Sequence, residues 1–134
     1  MSKGNTTEND MLALIFTATA LSWAAATDLD IHLHTADPGE AGLTSTSEAT
    51  YTSYAVVTVG RDGSDWTVTG NSCANDNLIQ FPLCTGGTNT ITHVSISPNG
   101  STQILYSGAL NSSLAVSNGI QPQFSPSALT ISED

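Results

Sequence analysis

Asp30, His32 and His34 stand at alternate positions of Leu29–His34, with Asp37 just beyond. Alternate residues of an extended chain share one face, so two imidazoles and a carboxylate project together. These are ligand types suited to zinc or another divalent ion. A metal site usually draws on more than one element, and nothing in the sequence places the third imidazole, His93, nearby. The simpler expectation is an exposed polar face on a half-buried strand, with no metal and no cofactor.

Other reactive groups fall short of a catalytic set. Cys84 with His93 and an acid is formally a nucleophile, base and orienter, but no nucleophile-elbow pattern accompanies it. Asp62 and Asp65 share one turn, whereas glycoside cleavage needs two acids converging in a cleft. Their spacing also lacks the rest of a calcium loop. Gly60 and Gly86-Gly87 precede neither a helix nor a lysine, so they form no phosphate cradle. Trp23, Tyr51, Tyr54, Trp66 and Tyr106 could line a sugar-binding face, although such residues more often pack across strands. The chain is expected not to be an enzyme.

Charge narrows the partners. Lys3 and Arg61 stand against twelve acids among 134 residues, a net charge of -10. An electrostatic grip on nucleic acid rests on Lys and Arg neutralising phosphates and is excluded, and the same balance argues against an anionic membrane surface, so neither is expected as a partner. With 19 Thr and 17 Ser, the surface is rich in hydroxyls and poor in ion pairs. Cys73 and Cys84 are too few for a disulfide scaffold. They are either a single bridge across a hairpin or two free buried thiols, as suits a reducing cytosol.

The elements follow from periodicity. Residues 7–26 read as the one helix: Thr7 and Asp10 resemble an N-terminal box, and Leu14, Ala18, Leu21 and Ala25 form a stripe. Its uncharged run, Met11 to Thr27, is shorter than the ~20 apolar residues that span a bilayer. Ala24-Ala25-Ala26 would suit a signal peptidase, but Glu8 and Asp10 oppose Lys3 in the leading region, so a retained helix is expected. That stripe is expected to pack on the chain's own sheet.

Strands are expected at 29–34, 51–59, 66–69, 78–81, 90–97, 103–109, 113–116 and 128–132. Asp62-Gly63 is the candidate turn of a hairpin between the second and third. Pro98-Asn99-Gly100-Ser101 is the strongest turn signal. The fold class is therefore mainly β. We expect a single domain over 1–134, an antiparallel sandwich or barrel (jelly-roll-like, about eight short strands) with one N-terminal helix.

Whole-chain motifs add a resemblance. MSKGNTTENDMLALIF, LHTADPGEAG, SEATYTSYAVVTV, WTVTGNS, FPLCTGGTNTITH, ILYSGAL, VSNGIQPQF and ISED occur here in this order. Together they resemble a family of short tailed-bacteriophage proteins commonly labelled tail fibre protein, with LHTADPGEAG and FPLCTGG the most specific pieces. The resemblance implies a virion structural protein made in the bacterial host cytoplasm. It also leaves room for a disulfide between Cys73 and Cys84 as a local addition.

The first expectation is a capsid decoration (cement) protein, a homotrimer bound to the phage major capsid protein. Its candidate contacts are Ser2, Lys3, Asn5 and Thr6, then Asp37, Pro38 and Glu40, then Phe124, Ser132, Glu133 and Asp134. The second is a tail-tip or tail-fibre component that meets a host surface receptor. A carbohydrate-binding module is the third.

Overall fold

Asp28–His34 (β2) is the strand that the Leu29–His34 alternation predicts, and it lies inside the largest sheet. In a computed structural model describing residues 1–133, its neighbours are Val57–Gly60 (β3) and Asn89–Pro98 (β7). Tyr106–Val116 (β8) pairs with β7, and Ser2–Lys3 (β1) closes the far edge, giving the order β1-β8-β7-β2-β3. Trp66–Thr69 (β4), Ser72–Asn75 (β5) and Thr130–Ser132 (β10) form a second sheet ordered β10-β5-β4. Ile79–Gln80 (β6) and Gln123–Phe124 (β9) make a small third pair. Every pairing among these described strands is antiparallel. The chain is mainly β with one N-terminal helix, consistent with the expected sandwich.

The core lies under the alternating face of β2. Ile31 and Leu33 meet Val94 and Ile96 of β7, and Trp66, Ile79, Phe81 and Ile131 close over them from the smaller sheets. Full burial of such side chains is worth roughly 1.5–3 kcal/mol each. Phe81 stacks on Tyr54 and meets Phe124 edge-on, so three separate segments share one aromatic cluster.

Several local expectations change. Asp62-Gly63 does not join a hairpin: β3 pairs with β2 while β4 pairs with β5, so this turn carries the chain between sheets. The hairpin sits instead at Gly70-Asn71, between Thr69 and its register partner Ser72. Gly70 has φ 61, the left-handed conformation that a tight hairpin turn gives to glycine. Residues 51–56 are loop because Tyr51 and Tyr54 turn into the core instead of alternating. The two strands expected at 103–109 and 113–116 are one, β8, which runs through a register shift opposite Ile91 and His93.

The helix, Asn5–Thr17 (α1), is shorter than the predicted 7–26. Ala18 takes a left-handed conformation, φ 53, and the Thr19 N–H donates back to the Ala13 carbonyl at 3.2 Å. That closing geometry ends the helix before Leu21 and Ala25, so the predicted stripe never forms. Among the described residues no helix is long and apolar enough to cross a membrane.

Candidate functional site

The face of β2 expected to be exposed is buried: Asp30, His32 and His34 are all enclosed, His34 fully. The loop after β2 folds back over them. His34 Nδ1 meets the Thr46 carbonyl at 2.9 Å and its Nε2 meets Ser95 Oγ at 2.7 Å. A carbonyl only accepts, so Nδ1 carries the hydrogen and the Ser95 hydroxyl donates to Nε2. His32 lies 2.7 Å from Glu48 Oε1 and 3.0 Å from Ser97 Oγ. With both nitrogens of each ring engaged by protein groups, this face works as a polar clamp on the loop. Among the described residues, no His, Cys, Asp and Glu are grouped so as to hold a metal.

The charges here are tuned by their surroundings. Burial pushes the His34 imidazole below its usual range, against the opposing hydrogen bond to Thr46. Burial pushes the Asp30 carboxyl up, but donation from Gly100 N–H, Asn99 and Thr58 outweighs it and leaves the group below the usual carboxylate range. The Ser95-x-Ser97 alternation on β7 is the sequence signal that these serines face the histidines. Glu48 and Thr46 carry no such signal.

α1 is attached by its polar side. Thr7 Oγ1 donates to the Ile104 carbonyl at 2.9 Å, and Gln103 Nε2 donates to both Thr7 Oγ1 and Asp10 Oδ2. Asp10 also accepts from Trp23 Nε1 at 3.3 Å. Thr7 and Asp10 are therefore tethers to the β body, not the helix box their spacing suggested. Gly4 caps the helix in extended conformation, where a Cβ would run into the Ile104 carbonyl.

Only Thr7 is buried along α1. Leu12, Ile15 and Phe16, at i, i+3 and i+4, share the face turned away from Thr7 and Asp10. They are 55%, 66% and 78% exposed. The expected stripe is not what holds the helix: polar groups tether one side, where Leu14 is 38% exposed, and Leu12, Ile15 and Phe16 on the other side meet solvent.

The predicted contact segments converge around the start of this helix. The Asn5 N–H donates to the Glu40 carbonyl at 2.8 Å, and the Gly4 N–H to Leu105. Lys3 Nζ pairs with Glu133 Oε2 at 2.8 Å, and Glu133 also accepts from the Tyr106 hydroxyl. Burial raises the Glu133 carboxyl, yet Lys3 and Tyr106 prevail and hold it below its usual range. Ser2, Asn5, Thr6, Asp37, Glu40 and Ser132 are exposed. Pro38 is buried, and Phe124 is half-buried against Phe81. Asp134 lies outside the described residues.

A second apolar feature lies between the two larger sheets. Val68, Cys73 and Ile131 are in register across β4, β5 and β10. They face Leu29, Ile96 and Tyr106 of the large sheet across an open groove of about 580 Å³. Arg61 and Glu133 stand on its rim. Cys73 belongs to this groove, whereas Cys84 is buried beside Tyr51 with its thiol toward the Gly86 carbonyl. Both thiols are free, so the bridge that the sequence allowed is not formed.

The aromatic residues do not share a face either. Tyr51 and Tyr54 pack together in the core, Trp66 donates to the Gly60 carbonyl, and Trp23 lies under the Arg61 guanidinium.

No curated protein matches the chain. The family model described as podophage GP4 fiber I protein gp80 matches residues 2–132. Nearly the whole fold lies inside that match, and the chain belongs to this family of phage virion proteins.

Proposed function

We propose that this chain is a structural fibre component of a podophage tail, acting by protein–protein assembly and not by catalysis. The observation that carries the reading is the outward apolar face of α1, Leu12, Ile15 and Phe16, held in place by polar tethers on the opposite side. Contiguous exposed apolar surface on a small protein marks an interaction site. The β body then serves as a rigid mount, with α1, β1 and the loop around Glu40 gathered at one end.

The family description favours this fibre position over the head-decoration position. The partners we propose are further copies of the chain and a neighbouring tail protein, assembled after synthesis in the host cytoplasm. A sugar-binding role has less behind it, because the aromatic residues are dispersed and largely packed.

A density map of the intact particle, together with copy number from stained gels, tests the proposal. Density in the tail fibres and a low copy number per particle are expected. Hundreds of copies arrayed on the head would overturn it.

A further inference from the structure

Asn99-Gly100 and Asn118-Gly119 are the two asparagine–glycine steps of the chain. Such a step can rearrange without an enzyme, because glycine has no side chain to keep its nitrogen from the asparagine amide carbon. Both asparagines are exposed, and both glycines have positive φ, 71 at Gly100 and 90 at Gly119. Exposure and backbone therefore do not separate the two steps. Their hydrogen bonds do.

The Asp30 carboxylate grips the first step at both reacting groups. Its Oδ1 accepts from the Asn99 amide at 3.0 Å, and its Oδ2 accepts from the Gly100 N–H at 2.9 Å. Asp30 is itself 5% exposed and is fixed by Thr58, which donates to Oδ1 at 2.7 Å. Hydrogen bonds to an ionised acceptor are roughly twice as strong as neutral ones. The attacking nitrogen must also shed its proton, and the negative charge left on it would face the carboxylate. At the second step the Gly119 N–H donates to the neutral Cys84 carbonyl at 2.9 Å. Among the described residues no carboxylate holds the exposed Asn118 amide.

We propose that Asn118 is a site of spontaneous deamidation, and that Asp30 shields Asn99 from the same reaction. The Gly119 nitrogen attacks Asn118 Cγ, the Cγ–Nδ2 bond breaks, and Nδ2 leaves as ammonia with the Gly119 proton. Water then opens the cyclic imide. Cleavage of the new Cγ–N bond leaves aspartate, and cleavage of the original backbone C–N bond leaves isoaspartate, with an extra carbon in the main chain. Either product adds a negative charge. Isoaspartate also moves the following residues out of step with Cys84, whose N–H donates to the Ile120 carbonyl at 2.9 Å. A virion protein is not resynthesised once the particle leaves the cell, so the change accumulates with age.

Peptide mapping by mass spectrometry, on full-length native protein aged in mild alkali, tests this. In urea the two steps are expected to react at similar rates. In the native protein Asn118 is expected to react about tenfold faster than Asn99 or more, a factor that one hydrogen bond to a charged group can supply. Loss of ammonia with gain of water marks each product, and hydrogen exchange at the Cys84 amide is expected to speed up in aged protein. In folded Asp30→Asn, confirmed by circular dichroism, Asn99 is expected to approach its rate in urea while Asn118 is unchanged. An Asn99 that keeps pace with Asn118 in native protein would overturn the shield, as would an Asn99 rate unmoved in folded Asp30→Asn. An Asn118 that stays intact in native protein while it reacts in urea would overturn the site. The comparison with urea needs no variant, so it decides even where Asp30→Asn does not fold.

Discussion

Gln103 and Asp10, 93 residues apart in sequence, meet at 2.9 Å through the Gln103 amide and the Asp10 carboxylate. Because the same amide reaches Thr7, one side chain sets the direction in which α1 leaves the body. Replacing Gln103 with Ala is expected to cost about 1–2 kcal/mol, as for a hydrogen bond to a charged group that is partly exposed. Protection of the α1 amides in hydrogen exchange should fall much more than protection of β7. Equal loss in both would show that α1 and the sheet open as one unit.

His34 makes the fold sensitive to acid. In the folded protein its imidazole is held below the usual value of about 6.5, chiefly by burial, with His32 and His93 opposing its protonation and Glu48 favouring it. Its contribution is fully present above the unfolded value and is lost as pH falls toward the folded one, because there the unfolded chain binds the extra proton. Stability to urea is therefore expected to fall as the pH drops below about 6.5. His34→Gln should be less stable at pH 7 and flatter across that window. An equally steep variant would move the origin of the slope to another group.

Asn75 binds the C-terminal arm to the second sheet. Its amide donates to the Asn77 and Ser125 carbonyls at 2.7 and 3.0 Å, and its side-chain oxygen accepts from the Leu129 N–H at 2.9 Å. Asn75 is fully buried, so Asn75→Ala takes the partner from the Leu129 N–H and the Asn77 carbonyl, while the Ser125 carbonyl keeps the Ala128 N–H. A loss of about 2–4 kcal/mol is expected from chemical denaturation. A loss below 1 kcal/mol on that scale would mean that water replaces the amide.

Free thiols predict indifference to reductant. The melting temperature should be the same with and without dithiothreitol, and the intact mass should carry both thiol hydrogens. Burial, reinforced by the Asp76 carboxylate, pushes the Cys73 thiol up, so it should alkylate slowly at neutral pH despite lining an open groove. Rapid modification of native protein would show that the groove wall moves.

How much was legible varied by element. The Leu29–His34 alternation determined a strand and its two faces, because side-chain direction alternates by covalent geometry. Its polar face could not be read as buried. That depended on the loop carrying Thr46 and Glu48 returning over it, and no local periodicity encodes a long-range return. Likewise, the pattern of β8 predicts two strands because a register shift interrupts it, and the pairing with β7 that joins the halves is a tertiary property.

The sequence by itself determined the β class, the acidic surface, the existence of an N-terminal helix and, through whole-chain motifs, the phage family. Only the tertiary structure decided how that helix is used. An apolar face on a helix says that something must cover it, and the hydrophobic effect is non-directional, so it does not name what. Here the hydrogen bonds of Thr7 and Asp10 to the body decide the rotation. They turn Leu12, Ile15 and Phe16 outward, into solvent.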